Sequence, residues 1–241
     1  VSTDRLKATF DSTGGTLVRL ELLEYRDNAD RSRNVVLFDR TAKRQYVAQT
    51  GLIGAQPGVQ WPTHLTPLTA MPGARELAAG ADELSLRFEG EAPGGVKLAK
   101  TYTFKRGSYL VGVRHEVTNG TAAPISPQLY LQLARDGNPP EGESSYYFTY
   151  TGPAMYTDAG KFQKVEFKDI EKGKPEHETK ANDGWVAMVQ HYFASAWLLP
   201  APQPREFRTA KVADNFYSIA TVVPLGEVAP GAARSQDAQL Y

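Results

Sequence analysis

The chain has no cysteine among its 241 residues. That excludes thiol catalysis, Cys-based zinc sites and any reliance on disulfides. It also lacks net charge, with Lys plus Arg and Asp plus Glu both at 27. A nucleic-acid partner selects a basic stripe, so this balance argues against one. No apolar run reaches the ~18 to 20 residues that cross a bilayer. The nearest, Trp185 to Leu199, is interrupted by Gln190 and His191. No secretory signal heads the sequence. It opens on Val1-Ser2-Thr3-Asp4 and reads as one domain, residues 1–241, excised from a longer protein.

Recognisable catalytic patterns are missing too. There is no G-x-S-x-G elbow, H-E-x-x-H pair, phosphate loop or dinucleotide fingerprint. Histidine is scarce, with only His64, His115, His177 and His191. His115 shares the parity of Val111, Val113 and Val117, so it is expected to be a hydrogen-bonded core histidine. His177 sits in the charged stretch from Lys168 to Asp183, expected to be a solvated loop. Neighbouring acids such as Asp82-Glu83, or Glu141 with Glu143, fall in loops and give little support for sugar hydrolysis. No catalytic, cofactor or metal residue is assigned.

What is present is period-two alternation. Leu84, Leu86 and Phe88 alternate with Glu83, Ser85, Arg87 and Glu89, the pattern of a half-buried strand. Val18 to Leu22, Lys100 to Lys105, Tyr109 to Val117 and Leu129 to Leu133 repeat it. Arg106-Gly107 reads as a turn, and Asn119-Gly120 as a hairpin. The 21 glycines and 16 prolines interrupt most windows before a helix gains three turns. Many short strands with such turns predict an all-β antiparallel sandwich. The block Gly184 to Trp197 holds two of the three tryptophans. It fits either a strand-turn-strand or a helical stripe, and Trp185 and Trp197 are both expected to be buried.

Several of these segments resemble one known family. Asp11-Ser12-Thr13-Gly14-Gly15, Gln49-Thr50-Gly51-Leu52 and Phe104-Lys105-Arg106-Gly107-Ser108-Tyr109 look like its opening motifs. Gly152-Pro153-Ala154-Met155-Tyr156, Lys161-Phe162-Gln163-Lys164 and the Gly184 to Trp197 block continue the order. The chain thereby resembles the periplasmic domain of YidC membrane protein insertases along nearly its whole length. The resemblance implies a β-supersandwich similar to galactose mutarotases, and strands rather than a helix in the Gly184 block. It implies a place at the periplasmic face of the Gram-negative inner membrane. It further implies a non-enzymatic accessory role, with SecF of the Sec translocon and client membrane proteins as partners. The SecF-facing stretch would run roughly from Tyr147 to Leu198.

Within that stretch Lys161, Lys164, Glu166 and Lys168 are candidate partner contacts, read as lying opposite Val165 and Phe167. Tyr146, Phe148 and Tyr150 share one strand parity and are either core or a groove of aromatics. A rival reading is a carbohydrate-binding or mutarotase-like domain, although neither His115 nor His191 matches, with any Glu, the acid and base of that chemistry. A third is a structural spacer.

Overall fold

A computed structural model describes residues 1–140 and 149–241. In chain order the elements are β1 (Leu6–Asp11), β2 (Thr16–Arg26), β3 (Asn34–Arg40), β4 (Gln45–Ile53), β5 (Thr69–Ala70) and β6 (Glu83–Ala92). Next come β7 (Val96–Lys105), β8 (Val111–Asn119), β9 (Gln128–Asp136), β10 (Gly152–Thr157), β11 (Lys161–Lys164) and α1 (Phe167–Glu171). The last are β12 (Lys180–Ala181), β13 (Trp185–Gln190), β14 (Phe193–Leu198), β15 (Arg205–Ala213), β16 (Phe216–Pro224) and β17 (Ala233–Leu240).

Eight strands form one sheet in the order β1-β2-β3-β4-β9-β16-β15-β12. Nine form the other, β11-β10-β13-β14-β17-β8-β7-β6-β5. The ladders are antiparallel, as one-sided alternation requires. Leu17, Phe38, Leu131 and Leu133 from the first sheet and Leu86, Phe104, Val113 and Trp197 from the second share one apolar core. The result is the expected antiparallel β-sandwich.

Register makes the sandwich legible row by row. Met155, Val186, Trp197, Leu240, Val111, Phe104 and Leu84 are successive cross-strand partners on the inner face, and all are buried. Trp197 is 1% exposed. Its indole N–H donates to the Gln132 carbonyl of β9 at 3.1 Å, tying the two sheets together. Tyr46 of β4 makes a second tie, through its hydroxyl to Ser195 of β14.

Four local expectations are corrected. Asn119-Gly120 is no hairpin, because β8 and β9 belong to different sheets. The chain crosses there, and the Asn119 side-chain amide donates to the carbonyls of Ala123 and Val228, both at 2.8 Å. Lys168 to Asp183 is not all loop, since it contains the end of α1 and β12. His177 is partly buried, with Nε2 3.1 Å from the Thr209 hydroxyl. Trp185 is only partly buried. By contrast, the Gly184 block is the expected strand-turn-strand, with Gln190 paired to Phe193 across a two-residue tip.

Candidate partner-binding surface

The stretch from Thr149 to Leu198 builds the β11-β10-β13-β14 end of the nine-stranded sheet. One row out from the buried row lies its outward counterpart. Phe162 pairs with Tyr156, Tyr156 with Trp185, and Trp185 with Leu198. Phe162 is 49% exposed. Tyr156 and Trp185 stack with centroids 5.9 Å apart and planes 15° from parallel, and Phe162 lies 6.1 Å from Trp185 at 50°. Gly184 sets this geometry. It adopts φ +90°, and a Cβ there would strike the Tyr156 carbonyl oxygen at 2.0 Å, so only glycine lets β13 approach β10 this closely.

The side chains singled out from sequence surround this row unevenly. Lys161 adopts φ 56° at the first position of β11, so strand parity does not orient it. Lys164 ends β11, with its Nζ 4.9 Å from the Tyr150 ring centroid. Glu166 precedes α1 with extended backbone and Lys168 lies within it, so the exposure of Lys168 follows helical geometry rather than the alternation assumed for it. All four are exposed. Tyr146 and Phe148 lie outside the described residues. Tyr150 acts as a pin. Its hydroxyl accepts the Val165 N–H at 3.1 Å and lies 3.0 Å from the Val165 carbonyl, with the Pro153 carbonyl also in reach. Burial pushes its hydroxyl pKa up. Sequence reasoning missed Tyr156 and Phe162 as members of an outward row, and the cross-strand sums of the two hairpins would have revealed them.

Elsewhere the titratable groups are spent on structure. His115 is fully buried, with Nε2 2.9 Å from the Thr50 hydroxyl. Burial first, and Lys100 second, push its pKa down to about 3. Lys100 faces the same core and donates to the carbonyls of Gly14 and Thr50, each at 2.6 Å. Burial pushes its pKa down to about 7. His64 meets the Tyr130 hydroxyl at 2.6 Å. On the far half of the outer face, a depression of about 440 Å³ is lined by Arg87, Glu89, Lys97 and Glu116 among others. Arg87 already bonds Glu89, Glu116 and Thr101 there. Among the described residues no three His, Asp or Glu side chains gather as a metal site needs, and no helix is long and apolar enough to cross a membrane.

Known proteins bear out the fold and name the family. A family model described as the YidC periplasmic domain matches residues 1–241. The chain is 52% identical over 241 residues to a membrane protein insertase YidC of Janthinobacterium sp. (strain Marseille), covering 100% of this chain and 42% of that protein. It is 48% identical to the YidC of Herminiimonas arsenicoxydans, with the same coverage. The chain therefore spans 42% of the length of these curated relatives. Among solved structures, a galactose mutarotase related enzyme from Lactobacillus acidophilus superposes with TM-score 0.56 at 11% identity, covering 100% of this chain and 95% of that one. A putative aldose 1-epimerase from Escherichia coli K12 gives TM-score 0.54 at 13% identity, covering 100% and 96%. Such low identities speak to the fold alone. With the sandwich, its motifs and the full-length match in agreement, the chain belongs to the YidC periplasmic-domain family.

Proposed function

We propose that this chain is a non-enzymatic docking module of a YidC-type insertase on the periplasmic face of the inner membrane. It binds SecF of the Sec translocon and holds extended client segments. The observation that carries this reading is the outward row Phe162, Tyr156, Trp185 and Leu198, placed within the stretch the family resemblance assigns to SecF. Stacked aromatics with polar tips are the residues that dominate protein interfaces. We read residues 1–241 as one domain, because both sheets contribute to a single core. The absence of catalysis is supported by His64, His115 and His177. Each meets a neutral partner, a hydroxyl or a backbone carbonyl, instead of a carboxylate.

The rim lends itself to a direct test. Lys161→Glu, Lys164→Glu and Lys168→Glu are combined with Glu166→Lys in the full-length insertase. Single rim charges change affinity little, but reversing several together is expected to cut SecF capture by about tenfold. Melting should hold, since exposed substitutions shift stability by about 0.5 kcal/mol or less each. Unaltered capture by this folded variant would move the interface off this edge.

A further inference from the structure

Four strand edges bound the two sheets, and three of them are closed or trivial. β5 and β12 are two residues long. β1 is covered by the chain start, with the Ala8 N–H donating to Val1 and the Thr3 N–H to Leu6, both at 2.8 Å. β11 is different. It is the last strand of the nine-stranded sheet, and among the described residues no strand pairs with its far side. The Val165 N–H donates to Pro153 at 2.9 Å. In an antiparallel ladder, hydrogen-bonded pairs alternate with unbonded ones. Met155 with Gln163 and Thr157 with Lys161 are then the bonded pairs, and the N–H and C=O groups of Phe162 and Lys164 point away from the sheet.

Lysines on an edge strand are an ordinary defence against unwanted pairing. A purely defensive edge would not also expose half of Phe162 beside a stacked Tyr156 and Trp185. Charge narrows the occupant further. β11 itself carries Lys161 and Lys164 and no acid, and neither lysine makes a salt bridge among the described residues; beyond it Lys168 lies between Glu166 and Asp169, and Glu171 of α1 is neutralised by Lys211 at 2.6 Å. The open edge is locally cationic although the chain as a whole is neutral. Basic and aromatic side chains also suit an anionic membrane surface. A lipid, however, cannot pair the outward amides of Phe162 and Lys164, which would be left without partners in the hydrocarbon. An added strand satisfies them.

We propose that the free edge of β11 takes up an extended peptide segment as an additional strand, with an apolar side chain that continues the Phe162 row and, two positions along on the same face, an aspartate or glutamate beside Lys164. This is strand addition, in which main-chain pairing supplies affinity and alternate side chains supply selectivity. It rests on the docking reading above and specifies how that surface binds.

The probe is a capped peptide with phenylalanine and glutamate two positions apart and threonine at the intervening positions. It is compared with the same peptide N-methylated on its pairing amides, with a lysine-for-glutamate version, and with phosphatidylglycerol vesicles. Binding is read by calorimetry and by hydrogen exchange at the amides of Phe162 and Lys164. The expected result is protection of those two amides by the glutamate peptide, and a loss of about tenfold or more in affinity with either altered peptide. Equal binding of the N-methylated peptide would overturn the proposal, as would edge protection by vesicles but not by peptide. Lys164→Pro deletes one outward donor without touching the β10 ladder, while Lys164→Ala keeps it. Both variants lose the same charge, so peptide binding should fall clearly further in the first, which alone loses the donor, than in the second. If SecF capture falls with Trp185→Ala but not with Lys164→Pro, strand addition is wrong and docking stands. Capture unchanged in both would remove the docking reading as well.

Discussion

Trp197→Ala is expected to cost about 3 to 5 kcal/mol of folding stability, the usual range for a large buried aromatic, and to lower the melting temperature by roughly 10 °C in a chain of this size. The side chain fills the centre of the inner row, and its indole N–H also satisfies a β9 carbonyl. Alanine leaves both a cavity and an unpaired acceptor. Trp185→Ala should cost about 1 kcal/mol, because its side chain is only partly buried and its ring packs on Tyr156 and Phe162 on the outward face. Thermal melts of the two variants decide the matter. Equal losses would contradict the assignment of one tryptophan to the core and the other to the surface.

Stability should also rise between pH 7 and about pH 9.5, which is unusual for a neutral domain. The cause is Lys100, buried with two carbonyl acceptors. Its pKa falls from 10.5 in the unfolded chain to about 7 in the fold. Over that window the unfolded chain binds the extra proton, so folding is favoured as protons are withdrawn. The expected gain is on the order of 3 kcal/mol. Above that window the buried hydroxyls of Tyr46 and Tyr102, whose pKa values are raised by burial, reverse the trend. On the acid side, His115 adds a second loss as pH falls from 6.5 toward about 3. Denaturant titrations of wild type and Lys100→Met across the alkaline window test this. The variant should lose the slope, and a flat wild-type profile would refute the account.

How much of this was legible in the sequence depends on whether the signal is local. The strands around Leu84 to Phe88, Val111 to Val117 and Leu129 to Leu133 are plain from alternation, and their inward residues are buried, with Tyr130 on β9 buried as well. Asn119-Gly120 misled because the dipeptide serves a sheet crossing as well as a hairpin. Gly120 lies so close to Gly95 that a Cβ would meet its carbonyl oxygen at 2.5 Å. Trp185 and Trp197 share odd numbers, yet face opposite sides. The two-residue tip between Gln190 and Phe193 pairs odd positions with even ones, so parity flips across the turn. The turn at His191-Tyr192 implies this difference once odd and even positions are paired across it. Lys161 and Lys168 were assigned by strand parity, whereas a left-handed backbone and a five-residue helix orient them instead. The candidate surface itself needed registry between β10, β11 and β13, which no single stretch of chain encodes.

The central claim is that the outward aromatic row of the β11-β10-β13-β14 end meets a protein partner. A photo-crosslinking residue placed at Phe162 in the full-length insertase tests it most directly. The control position is Val212, which is 53% exposed on β15 of the other sheet. The account predicts an adduct with SecF from position 162 and none from position 212. Adducts from 212 alone, or from neither position in a complex that still forms, would contradict it.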